Sequence, residues 1–298
     1  MSARVETDYT RRALYYDSLE GFNIKRAAVP AHVFRAERDA ALADDAPTGL
    51  VALDLASVLG TPFPATTPMI LARYARIRAG ARLDTRFVAS GEIYYVMRGE
   101  GETRRGADRL GWETGDVFCL PGGATTTHAA ATDTVLWIAT NEPALAFEGA
   151  QAPAPGAAPT PIVHYPGDEI RRHLDAIRRR PDADALPGKA VNFGCAGVAE
   201  QRTILPPFTL AMNSLGPGEF QRAHRHNAVA VTLVVQGAGC HSMIDGRRIP
   251  WEQDAVMITP PGAAHSHHND GDALALFLIV QDGGLYYHCR TMGFSYTP

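Results

Sequence analysis

The sequence predicts an all-β protein built from two copies of one small barrel or sandwich, and three observations carry that expectation. Short runs of apolar or β-branched residues alternate with Gly, Pro and Asp. The two halves repeat each other at a nearly constant offset. A Pro/Ala/Gly stretch, Gln151–Pro161 (QAPAPGAAPTP), separates them as a stiff linker. The length, 298 residues, also suits two domains of roughly 100–200 residues each.

Taken along the chain, strands are expected over Tyr94–Met97, Val117–Leu120 and Val135–Ala139 in the first half, and over Val231–Val235, Val256–Thr259 and Leu274–Val280 in the second. Asp245-Gly246 is a hairpin signal between strands. Between the halves, Asp168–Arg180 places acids first, arginines last and Ile170, Leu174 and Ile177 at helical spacing, which predicts a short exposed helix. The organisation expected is a first unit over 1–150 with a helical N-terminal extension, a linker with a short helix over 151–204, and a second unit over 205–298. Gly80…Gly99 matches Gly218…Gly237 at an offset of 138, and Val117–Gly123 matches Val256–Gly262 at 139. The two halves are therefore an internal duplication.

Composition excludes several classes. With 28 Lys+Arg against 32 Asp+Glu the net charge is −4, so neither nucleic acid nor an anionic membrane is an expected partner. The arginine run near Arg180 reads as a solvated helix end. Met1–Thr10, with Arg4, Glu6 and Asp8, lacks the apolar run of a signal peptide, and no stretch is apolar enough to span a membrane. The expectation is a soluble, cytoplasmic protein. Cys119, Cys195, Cys240 and Cys289 form no CxxC pair and are expected as reduced, mostly buried thiols.

Histidine carries the chemistry. Of 11 histidines, seven fall in the last 75 residues. On a strand, His224 and His226 share a face, and a neighbouring strand can bring His265 beside them. Three neutral imidazoles suit Fe(II), Zn, Ni or Cu and leave two or three coordination positions free.

The framing residues, Gly218-x5-His224-x-His226 with Gly237 and later Pro260-x-Gly262-x2-His265-x3-Asn269, resemble the two-motif signature of the cupin superfamily. The resemblance covers roughly residues 68–142 and 205–285, and implies two tandem cupin barrels of jelly-roll type with a few short helices. Where the signature has a glutamate ligand the second copy has Ala230 or Val231, so the implied site is His224, His226 and His265 alone. In the first copy Arg86, Val88 and Thr126 replace the histidines and Glu92 stands at the glutamate position, so no metal is expected there; Arg86 is expected to fill the place by pairing with Glu92.

Among bicupins, the three-His pattern without glutamate is similar to the gentisate 1,2-dioxygenase group, which includes salicylate and 1-hydroxy-2-naphthoate dioxygenases. That resemblance implies Fe(II), with Zn, Ni or Mn as alternatives, an aromatic hydroxy acid chelated to the metal, O₂ as co-substrate, and a homo-oligomer, dimer or tetramer. Members of that group hold iron in the N-terminal cupin, whereas here the histidines stand in the C-terminal one. Ala228, Thr232, Gly262 and Ala264 replace larger residues of the group, which suggests a wider pocket. His267 shares the parity of His265 and is a candidate acid/base or oxygen-orienting residue; Arg222 shares that of His224 and is a candidate partner for a substrate carboxylate. Asn269 is expected to make structural hydrogen bonds. Competing readings are another metal-dependent reaction, such as β-diketone cleavage or isomerisation, and a non-catalytic ligand-binding bicupin.

Overall fold

A computed structural model describes residues 7–297; Arg4 and Glu6 of the opening stretch lie outside the described residues, as does Pro298. Each half is a large antiparallel sheet facing a smaller one. In the first half the large sheet runs in the order Val163–Tyr165, Val117–Pro121, Gly91–Arg98, Thr134–Thr140, Leu71–Ile77, Gly49–Ala52. In the second the order is His32–Phe34, Val256–Thr259, Ala230–Gln236, Ala275–Gln281, Thr209–Leu215, Lys189–Asn192. The four central strands of one sheet correspond to those of the other. All six strands expected from the sequence form, each within a residue or three of its expected bounds.

The small sheets repeat in the same way. Arg82–Thr85, Thr126–Ala130, Glu100–Arg105 and Asp108–Glu113 are matched by Phe220–His226, His265–Asn269, Cys240–Ile244 and Arg247–Pro250, with Phe294–Tyr296 added at the second sheet's edge. Asp245 and Gly246 make the expected hairpin turn with φ of 45° and 77°, the left-handed pair a two-residue I′ turn requires.

Both faces of the large sheets are buried, which is why their strands read as continuous apolar runs and not as alternation. Successive side chains point to opposite faces. Tyr94, Val96, Phe118, Leu120, Leu136 and Ile138 fill the interior of the first barrel, and Val234, Met257 and Phe277 contribute to that of the second. The opposite faces, with Ile93, Val117, Trp137, Val231, Val256 and Val280, join one core shared by the two halves. Tyr74 adds a directed contact across it, donating its hydroxyl to the Asp254 carbonyl at 2.6 Å.

Strand pairing crosses the expected boundaries at 150 and 205: His32–Phe34 pairs with Val256–Thr259 of the second half, and the segment expected as a linker supplies Val163–Tyr165 to one sheet and Lys189–Asn192 to the other. The helix, observed over Gly167–Arg178, is not simply exposed. Ile170 and Leu174 enter the shared core, and Arg178 forks onto Glu219 with contacts of 3.0 and 3.2 Å. As expected, Cys119, Cys195 and Cys240 are buried free thiols; Cys289 is exposed. No helix among the described residues is long and apolar enough to cross a membrane.

Candidate metal centre

The structure brings His224, His226 and His265 together, with one ring nitrogen from each lying within 4.8 Å of the others. Strand pairing does this: His224 on Phe220–His226 is opposite His265 on His265–Asn269. All three are buried, at 7, 8 and 4% exposure.

Their tautomers are set by the backbone. Nδ1 of His224 lies 2.8 Å from the Arg222 carbonyl, Nδ1 of His226 2.8 Å from the Ala228 carbonyl, and Nδ1 of His265 2.9 Å from the Ala263 carbonyl. A carbonyl oxygen only accepts, so each Nδ1 carries the proton and each Nε2 keeps its lone pair. Burial holds His224 and His226 below the ordinary 6.5 and takes His265 down to about 3. Three neutral imidazoles with oriented rings and unprotonated Nε2 atoms are the donor set a divalent transition metal requires. The residues present therefore fit the metal implied by the sequence.

The centre opens on a cavity of about 460 Å³, within the roughly 300–1,000 Å³ usual for small-molecule sites. Besides the three histidines it is lined by His267, by the amides of Asn192, Asn213, Gln221 and Gln281, and by Arg180. Ile279, Met292 and Phe294 supply apolar walls, and the Phe294 ring lies 5.2 Å from that of His224.

Arg222 is placed elsewhere. It is exposed, does not line this cavity, and stacks its guanidinium 4.3 Å from the Tyr296 ring centroid. The expected parity fails because the strand is bulged: Gln221 pairs with His267 and His224 with His265, so three steps on one strand match two on the other. Gln221 thereby takes the inward position that simple alternation assigned to Arg222. The cavity's guanidinium comes instead from Arg180, just beyond the helix, where it forks onto Asp182 at 2.8 and 2.7 Å.

Among known proteins, residues 212–281 match the cupin domain family. Salicylate 1,2-dioxygenase from Pseudaminobacter salicylatoxidans superposes with a TM-score of 0.75 at 16% identity, covering 95% of this chain and 92% of that one. The chain has the fold of two tandem cupin barrels. Its curated relatives include gentisate 1,2-dioxygenase of a Ralstonia species, 37% identical over 26% of this chain and 22% of that protein, and 1-hydroxy-2-naphthoate 1,2-dioxygenase of Nocardioides sp. (strain KP7), 36% identical over 40% and 27%. The matches thus span about a quarter of those two relatives' lengths. A longer match reaches 5-aminosalicylate 1,2-dioxygenase of a Comamonas species, 24% identical over 76% of this chain and 68% of that protein.

His267 lines the cavity at 2% exposure. Trp251 Nε1–H donates to Ser242 Oγ at 2.7 Å, and that oxygen lies 2.8 Å from His267 Nδ1 but 3.5 Å from Met257 Sδ. The shorter contact takes the hydroxyl proton, which leaves the proton of the neutral ring on Nε2. Burial among the other histidines keeps this ring well below its ordinary basicity. Nε2–H is therefore the donor that the His267 ring has left to offer. The first barrel repeats the relay: Trp112 donates to Thr103 at 2.8 Å, and Thr103 lies 2.8 Å from His128 Nδ1. The partners at 112, 103 and 128 recur at 251, 242 and 267, an offset of 139 that a search for the repeat across polar residues could have found.

Asn269 makes the structural bonds expected of it, donating to the Leu215 and Ala273 carbonyls at 2.9 and 2.8 Å. Ala228, Thr232, Gly262 and Ala264 do not line the cavity, so its width is set by other residues.

In the first barrel the partner of Glu92 is Arg105, at 3.8 Å, and not Arg86. Arg86, one residue beyond the strand Arg82–Thr85, is exposed and donates to the Gly123 carbonyl. Tyr94 also donates to Glu92, at 2.5 Å. Burial nevertheless raises the Glu92 carboxyl from 4.5 to about 7. A carboxyl raised on folding makes the native state bind more protons between those values, so stability is full below about 4.5 and falls as pH rises toward 7. Denaturant midpoints at pH 5 and pH 8 should show a loss on the order of 2–3 kcal/mol in the parent that is absent in Glu92→Gln. Equal pH dependence in both proteins would refute this.

Proposed function

We propose that this bicupin is a non-haem Fe(II)-dependent dioxygenase that opens the ring of an aromatic hydroxy acid bound by chelation. The observation that carries the reading is the set of three backbone-tethered, neutral imidazoles whose Nε2 atoms converge at a cavity. A site with no protein carboxylate among its three donors leaves charge and coordination positions for the substrate's own oxygens. The names of the relatives, gentisate, 1-hydroxy-2-naphthoate and 5-aminosalicylate 1,2-dioxygenases, support the reaction class.

His224, His226 and His265 would hold the metal, and bound Fe(II) supplies positions for a substrate hydroxyl and carboxylate and electron exchange with O₂. The chain's own residues do the rest. The backbone carbonyls of Arg222, Ala228 and Ala263 keep the three rings oriented, so no rotation precedes binding. His267 Nε2–H orients an oxygen of the bound acid through a hydrogen bond, and does so without becoming charged. Arg180 offers the guanidinium for a carboxylate, exchanging an exposed pairing with Asp182 for one at the cavity. Ile279, Met292 and Phe294 exclude water and pack against a ring. Arg222, over Tyr296 on the outer side, has no part in this arrangement. The exposed apolar side chains Tyr9, Leu14, Tyr15, Tyr16, Leu19 and Phe22 near the N-terminus support assembly into a homo-oligomer.

The test is anaerobic reconstitution with Fe(II) followed by O₂ uptake with a panel of gentisate, salicylate and hydroxynaphthoate. Uptake is expected with at least one chelating acid, and with none of their methyl esters or ethers, which cannot chelate through both oxygens. Iron-loaded protein that consumes no O₂ with any of the panel would end the reading.

A further inference from the structure

The cupin signature places a glutamate where this chain has Ala230, and the space is taken from the neighbouring strand. In the large sheet Gln281 is the direct cross-strand partner of Ala230. The two share the inward face, and both line the cavity of the metal centre. The Gln281 amide nitrogen lies 3.2 Å from Nε2 of His226. Since Nδ1 of His226 donates to the Ala228 carbonyl, its Nε2 has no proton, and the amide N–H donates to the nitrogen that would otherwise face the metal.

That distance has a second meaning. Two light-atom ligands each about 2.1 Å from one metal stand roughly 3.0–3.4 Å apart at octahedral or tetrahedral angles. Gln281 thus ends at ligand spacing from His226. When Nε2 of His226 gives its lone pair to a cation the N–H···N bond cannot persist, and an amide NH₂ facing the cation is repelled. A half-turn of the amide brings Oε1 to the same place, because the two ends of the group are nearly the same size.

Resting on the metal-dependent reading above, the geometry points to Gln281 as a fourth, neutral oxygen ligand of the substrate-free centre, replacing the missing glutamate from the adjacent strand. A neutral amide binds a divalent cation more weakly than a carboxylate. Three imidazoles and one amide leave two octahedral positions; a chelating acid fills both, and O₂ needs a third. Gln281 is the ligand able to yield it.

The experiment is titration of the full chain with Co(II), whose visible absorption reports ligand number, in the parent, Gln281→Ala and Gln281→Glu. Gln281→Ala should lose roughly 10–100-fold in Co(II) affinity, the scale for removing a group that supports a metal ligand, and change the spectrum of the substrate-free form. Added salicylate should bring the parent and Gln281→Ala spectra together. Gln281→Glu, nearly isosteric, should bind Co(II) and Mn(II) more tightly than the parent and accept salicylate less readily. Parent-like affinity and spectrum in a folded Gln281→Ala protein would overturn the assignment alone. A parent protein that binds no Co(II) would overturn the metal reading itself.

Discussion

Replacement of His265 by Ala should abolish iron retention and lower O₂ uptake by on the order of 10³-fold or more, equivalent to about 4 kcal/mol of barrier. His265 is the least exposed of the three converging imidazoles and comes from a different strand than the other two. Without it two imidazoles are left on the bulged strand with the weak neutral amide of Gln281 beside them, a set that does not hold an exchangeable divalent metal against dilution. The fold should survive, because the side chain's only bond to the protein is Nδ1 to the Ala263 carbonyl, worth about 1 kcal/mol net. His268→Ala is the matched control. Its ring stacks outward between Phe220 and His241, at 5.8 and 4.7 Å, so metal content and uptake should be unchanged. Metal analysis after gel filtration, beside the melting curve, separates the two variants; a His265→Ala protein that keeps stoichiometric iron would refute the ligand assignment.

The second large effect concerns the halves. A chain limited to residues 205–298 contains all three histidines and the whole cupin match beyond residue 212, yet it should not fold cooperatively. Val231, Leu233, Val256, Ile258, Leu278 and Val280, all fully buried, belong to the core shared with the first half. Exposing six such side chains at roughly 1.5–3 kcal/mol each costs about 9–18 kcal/mol, as large as the whole stability of a typical domain, about 5–15 kcal/mol. The fragment also loses two edge strands, His32–Phe34 and Lys189–Asn192. Near-ultraviolet circular dichroism and Co(II) titration of the fragment check this. A sharp thermal transition together with parent-like Co(II) affinity would show that the second barrel stands alone.

The residues legible in advance were those whose meaning is local. His224, His226 and His265 sit in fixed spacing with framing glycines and prolines, and each strand expected from its apolar run forms. Misplaced residues were those whose position depends on a register. Arg222 was assigned inward by alternation, and a bulge of one residue before His224 turned that face outward. Arg86 was assigned to Glu92 by correspondence with a ligand histidine, whereas Arg105, across the small sheet, reaches the carboxylate. Arg180 reads in the sequence as a solvated helix end, and Gln281 and Phe294 carry no motif of their own. Each lies outside the histidine motif and becomes part of the site only through packing.

The opening expectation of two copies of one β-unit, and of a single histidine centre in the second, followed from sequence alone because duplication and motif spacing are written in the order of residues. Which face of each strand looks inward, how the two copies share one core, and which distant side chains complete the cavity were decided by tertiary structure. Those depend on strand register and on contacts between residues far apart in the chain, and a one-residue bulge reverses the outcome without leaving a trace in periodicity.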